Sequence, residues 1–266
     1  MRVQRSVGLV VEGNATSSAV LKLPSITHEL GPIKAGALRV ARRLSNFLRA
    51  GYAVDTYAEL RDAGMVLIRV PDTAIPRVVN ELCMSDLDLA GMAFVLCESC
   101  LSTDMLKPLQ TRGAATATVS AVQTPRKSWF VLEGQMGAVR PVKRLLERGE
   151  ARALELRPGT KRLYFAAQML VTALPLPLFV TAQQALRAAG ISGNHLYELM
   201  EEMSLEMFRS FANGARVNLL TARTGCSAGA SAEYMEQLRF DYPQIAAVLD
   251  EQLTLATRLK EYKIEA

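Results

Sequence analysis

Ser6-Val7-Gly8-Leu9-Val10-Val11, followed by Glu12-Gly13-Asn14-Ala15-Thr16-Ser17-Ser18, is the stretch whose reading decides the fold. The first six residues form a continuous apolar run with no polar alternation, as expected of a parallel strand covered on both faces. The run breaks at Gly13, and the hydroxyls of Thr16, Ser17 and Ser18 offer N-caps for a helix running toward Leu30. Pro24 should bend or shorten that helix. Working outward, residues 33–38 read as a second strand and 40–48 as a helix. Val40, Leu44, Phe47 and Leu48 then share its apolar face. Residues 65–70 form the next strand, stopped by Pro71-Asp72, before a helix over 74–82 and a strand at Ala93–Cys97. Helical 101–109, extended 115–119, and strands at 129–132 and 153–156 around a basic helix at 139–148 complete this half. Strands alternating with helices indicate an α/β fold with a parallel sheet.

Beyond Arg157 the pattern is helical throughout. Residues 161–189 make one long apolar stretch closed by Gly190. In 196–211 the side chains of Leu196, Leu199, Met203, Met207 and Phe211 repeat at helical spacing and are expected inside. Helices over 231–240 and 244–262 follow a small-residue loop at 221–231. The change of period predicts two domains, a Rossmann-type NAD(P)-binding domain at 1–157 and an all-helical dimerisation domain at 158–266.

Half of the residues are apolar and 21% are charged, a globular balance that excludes extended disorder. The net charge of +5 comes from scattered arginines, so nucleic-acid binding is not expected. Four cysteines (Cys83, Cys97, Cys100, Cys226) are too few for a disulfide scaffold. The first residues lack the run of ~7–15 apolar side chains of a signal peptide, and a cytoplasmic location is expected. The apolar run at 169–182 is shorter than the ~20 residues of a membrane span and contains Pro175 and Pro177. It reads as a buried, kinked helix, and no membrane partner is expected.

A strand–turn–helix unit can grip a diphosphate, because free amides and the helix dipole face the anion and glycines let it approach. Here Val11-Glu12-Gly13-Asn14-Ala15-Thr16 stands in place of G-x-G-x-x-G, so one glycine of three is present. Gly13, Asn14, Thr16 and Ser17 are the candidate contacts, with Glu12 adding a negative charge nearby. A plain strand-to-helix turn without a ligand satisfies the same residues. At the end of the second strand an acid favours NAD and a base NADP. No acid occurs from Ile33 to Asn46, whereas Arg39, Arg42 and Arg43 do, so NADP is the expected cofactor, with Arg39 and Arg42 at its 2′-phosphate. A solvated helix face explains those arginines equally simply. Val70 and Pro71 end a strand at the ligand-bearing edge, and Asp72 can cap the next helix. Cys97-x-x-Cys100 lacks a second pair for a metal, and inert buried thiols are expected. His28 and His195 lie in separate helices, while Tyr164, Thr172 and Asn194 are expected to make interior hydrogen bonds.

Four segments in this order carry a resemblance: VLIRVPDTAIPRVVNEL at 66–82, FVLCES at 94–99, LYFAAQML at 163–170 and TARTG at 221–225. The chain resembles the Rossmann-like proteins of unassigned function whose C-terminal domain is similar to that of 6-phosphogluconate dehydrogenase and pyrroline-5-carboxylate reductase. The resemblance implies an NADP-dependent oxidoreductase acting on a small carbonyl or imine, and a homodimer formed through the C-terminal helices. It also exposes departures. Ser120-Ala121, Phe165, Ala173 and Ala228-Gly229-Ala230 stand where the family pattern has polar or ionisable side chains. Acid–base catalysis needs such groups within reach of substrate. No catalytic residue is therefore assigned, and the alternative is a catalytically silent Rossmann-like protein that binds a nucleotide, another anionic ligand or a protein partner.

Overall fold

The computed structural model describes residues 6–13, 18–122, 124, 128–213 and 228–261. Eight strands build one sheet: β1 (Ser6–Val11), β2 (Leu30–Ala35), β3 (Tyr52–Val54), β4 (Ala63–Arg69), β5 (Ala93–Cys97), β6 (Ala115–Val122), β7 (Trp129–Gly134) and β8 (Arg152–Glu155). Their order across the sheet is β3-β2-β1-β4-β5-β6-β7-β8, and every neighbouring pair is parallel except β6 and β7. The α/β Rossmann-type reading of the sequence is the observed fold.

Both faces of the sheet are covered, which is why β1 carries no polar alternation. On one face Leu9, Val11, Ile33, Leu67 and Val95 meet α1 (Pro24–Glu29), α2 (Leu38–Leu48) and α5 (Met136–Arg148) through Ile26, Leu44, Val142 and Leu145. On the other, Val10, Val66, Ile68, Phe94 and Leu96 meet α3 (Ile75–Met84) and α4 (Lys107–Thr111) through Ile75, Val78, Leu82 and Leu109.

Two local expectations change. The helix after β1 begins only at Pro24, where a fixed φ and a missing N–H suit a helix start. Residues 18–23 are turns instead, with Ser18 Oγ accepting the Leu21 N–H. In α2 the buried line runs through Ala41 and Leu44, while Val40 and Phe47 are exposed. The short Ala41 side chain faces the sheet and sets the phase of the helix.

Contacts divide the chain into a unit of Met1–Ala167 and a unit of Gln168–Ala266. The second holds the end of α6 (Lys161–Thr172), with α7 (Leu176–Ala188), α8 (Asn194–Ala212), α9 (Ala228–Asp241) and α10 (Pro243–Glu261). Gly190, at φ +91°, follows α7 as the sequence leads one to expect. The burial does not follow. Of the five apolar residues expected inside α8, Leu196 is buried and Leu199, Met203, Met207 and Phe211 are exposed. The helical stretch Lys161–Ala188 is long and apolar enough to cross a membrane by length and composition, and none of its apolar window is buried. The burial expected from the sequence is therefore not seen among the described residues. The TARTG segment at 221–225 lies outside the described residues.

Gly134 closes the antiparallel β6–β7 pair opposite Ala117, at φ +146°. A Cβ there would stand 2.5 Å from Ala117 Cα. Gly134→Ala should therefore lower stability by about 2–4 kcal/mol. Urea unfolding checks this, and an unshifted midpoint would contradict the register.

Candidate functional site

The pairings Val11↔Ala35, Val11↔Arg69 and Ile68↔Leu96 align the carboxyl ends of β2, β1, β4 and β5 along one edge. Strand order reverses between β1 and β4, and open α/β sheets bind ligands in the crevice outside such a switch point.

Gly13 leaves β1 at φ +69°, a left-handed conformation that favours glycine. A Cβ on it would reach ordinary contact with Pro71 Cγ at 3.5 Å, so these two predicted residues are neighbours. Val70 is buried and offers the edge its backbone, whereas Pro71 is exposed. Asn14, Thr16 and Ser17 lie outside the described residues. Glu12 adds no free charge to the crevice, because Arg77 Nη2 of α3 grips its carboxylate at 2.6 and 2.7 Å. Arg77 also bonds Glu81, which accepts the Tyr57 hydroxyl at 2.8 Å. Burial and Glu81 together push the Tyr57 phenol up.

The crevice is bridged by a residue that sequence reasoning does not single out. Glu98, just after β5, adopts φ +55°, and its Oε1 accepts the Ala19 N–H at 2.6 Å and the Val20 N–H at 3.3 Å. Arg69 Nε lies 3.1 Å from Oε2, an ion pair by distance although the N–H is not directed at the oxygen. The Glu98 amide donates to Val119 O at 2.7 Å, anchoring the turn.

Asp72 makes no helix cap. It opens a 3-10 turn, and its carboxylate accepts the Cys100 thiol at 3.0 Å. That bond, with some burial, raises the Cys100 thiol. The Cys-x-x-Cys pair thus divides into a buried Cys97, pushed up by desolvation, and an exposed Cys100. Among the described residues no group of three His, Cys, Asp or Glu could hold a metal ion.

A second polar feature lies behind this edge. Thr116, Thr118, Ser120 and Glu133 line one face of β6 and β7, all buried. Lys161 is 3% exposed; its amide donates to Glu133 Oε1 at 3.3 Å and its Nζ to Leu101 O at 2.8 Å. Burial pushes Lys161 down to about 8, with Glu133, Cys100 and Asp72 opposing. Glu133 Oε2 and the Tyr164 hydroxyl are buried without a partner, so Tyr164 lacks the expected interior hydrogen bond. Thr172 bonds Gln168 O within its own helix.

Beyond β2 the α2 N-terminus has no side-chain cap at Ala37, and Arg39, Arg42 and Arg43 stand exposed on its first turns without an ion pair among the described residues. These amides and guanidinium groups could hold a phosphate.

No family model and no curated sequence matches this chain. Solved structures do. An imine reductase from Aspergillus terreus in complex with NADPH4 and dibenz[c,e]azepine is similar with a TM-score of 0.72 at 13% identity, over 97% of this chain and 94% of that one. An imine reductase from Myxococcus stipitatus in complex with NADP+ gives 0.68 at 13% identity, over 96% and 94%. A reductive aminase from A. terreus in complex with NADPH and ethyl-5-oxohexanoate gives 0.67 at 13%, again over 96% and 94%. The chain has their fold.

Lys161 generates a pH dependence. Unfolded, it keeps its proton up to the ordinary value of 10.5; folded, it releases it near about 8. The unfolded chain binds the extra proton across that window, so this group makes stability rise with pH from about 8 toward 10.5. Lys161→Met should flatten the rise in urea unfolding followed through that range. Parallel slopes for the two proteins would contradict the burial of a titrating lysine.

Proposed function

We propose that this chain is an NADP-dependent oxidoreductase acting on a small imine or carbonyl compound. The observation that carries the reading is the carboxyl end of β2. It has no acidic residue, and it leads into an uncapped helix start bearing Arg39 and Arg42, which have no ion pair among the described residues. An acid there would favour the ribose hydroxyl of NAD, whereas planar guanidinium groups suit a 2′-phosphate. In this reading Gly13, Asn14, Thr16 and Ser17 lie along the diphosphate, and Val70 and Pro71 border the nicotinamide ribose. Bound NADPH would supply a hydride. The chain itself offers an exposed Cys100 thiol that Asp72 keeps protonated at the same edge. Similarity to imine reductases and a reductive aminase supports the substrate class. The free thiols of Cys83, Cys97 and Cys100 support a cytoplasmic setting.

A homodimer is part of the proposal. Exposed Leu170, Val171, Phe179, Met203 and Phe208 spread over α6, α7 and α8, with exposed Leu174 in the turn between α6 and α7. Apolar side chains on several helices at once suit a second copy, whose matching helices would cover them by a two-fold. Sedimentation should give twice the 29.1 kDa chain mass. A monomer would contradict it, as would flotation with lipid vesicles, which would assign the apolar surface to a membrane.

One observation favours a second reading, a silent binding protein. The Glu98 carboxylate already occupies amides at the diphosphate end. Titration calorimetry separates the two. NADPH should bind more tightly than NADH, and Arg39→Ala with Arg42→Ala should weaken NADPH by about 10–100-fold while sparing NADH. Absence of heat with either dinucleotide in every form would favour the silent protein.

A further inference from the structure

The Glu98 carboxylate is held as a bound anion would be. Its partners are the donating Ala19 and Val20 amides, from the turn after β1, and the Arg69 guanidinium, an ion pair by distance at the end of β4; these two strands flank the switch point. Glu98 itself follows β5 and reaches past β4 to meet them. Its φ of +55° is a conformation that glutamate rarely adopts, so the contacts hold the backbone there. Arg69 is not fully used. A guanidinium carries five N–H donors, and the Nε of this one is buried without a well-directed hydrogen bond. Two amides and a guanidinium with capacity to spare make a seat suited to phosphate oxygens.

We propose that this seat is an anion site for the diphosphate of a dinucleotide, and that Glu98 is an internal gate on it. The gate rests on the dinucleotide reading above. Before a diphosphate can take the Ala19 and Val20 amides and Arg69, the Glu98 side chain must release them and swing aside. A carboxylate that occupies the seat lowers apparent affinity by the fraction of molecules it keeps closed. Its charge also repels the incoming phosphates at short range. The gate thus sets which ligands enter. A dinucleotide whose diphosphate gains the seat while its 2′-phosphate meets the arginines of α2 can displace Glu98, whereas a lone monoanion gains too little to do so.

The test is calorimetric titration of inorganic pyrophosphate and NADPH into the full chain, comparing wild type with Glu98→Gln and Glu98→Asn. Asn tolerates the left-handed backbone, so it keeps the test available if the glutamine variant is poorly folded by circular dichroism. Both neutral variants should bind pyrophosphate and NADPH about tenfold more tightly, or better. Adding Arg69→Gln should abolish the gain. NADPH affinity unchanged in both neutral variants would overturn the gate while leaving the cofactor reading standing. Tighter pyrophosphate with no NADPH binding in any form would uphold the gate and overturn the dinucleotide reading. Absence of binding by both probes in every form would overturn both, and a gain that survives Arg69→Gln would overturn the seat as described.

Discussion

Two backbone amides, at Ala19 and Val20, need an acceptor that no helix provides, and the carboxylate of Glu98 meets that need. A partly buried N–H without a partner is expensive, and so is a half-buried guanidinium without a counter-charge. One side chain answers both demands, tying the ends of β1, β4 and β5 together at the point where strand order reverses. α1 starts only at Pro24, so the Ala19 and Val20 amides sit in a turn outside any helical ladder.

The two ends of the candidate cofactor groove therefore differ in kind. At β2 the positive charges of Arg39 and Arg42 have no ion pair among the described residues and stand beside an uncapped helix start. At β1 and β4 the positive potential is already met by Glu98, while Glu12 is turned away into the Arg77–Glu81 network. An anionic ligand would find its first attraction at the arginines and its last obstacle at Glu98. Behind the edge, Lys161 and Glu133 add buried ionisable groups that fix the start of α6 to β7 and to the Leu101 carbonyl.

What was legible in the sequence follows from how far each interaction reaches. β1 and β5 were readable to the residue because strands covered on both faces are unbroken apolar runs. β3, three residues long and headed by an exposed Tyr52, carries no period to detect. The phase of α2 was misread because apolar Val40 and Phe47 outweigh Ala41 in any count, although the smaller side chain is the one facing the sheet. The α8 pattern was periodic, yet its apolar face is exposed, since a period reports a face and not what covers it. The place of Arg39 and Arg42 on the first turns of α2 was legible because strand end and helix start are local features. Glu98 was not: its partners lie 78 and 79 residues away, and glutamate gives no signal of a left-handed backbone. Lys161 and Glu133, 28 residues apart, were hidden for the same reason.

Amide hydrogen exchange at Ala19 and Val20, resolved by NMR, addresses the central interaction most directly. The account predicts that both amides are protected in the wild type, exchange faster in Glu98→Asn, and regain protection in that variant when NADPH is added. Equal exchange at these amides in the two proteins would contradict it, because Glu98 would then not be their acceptor.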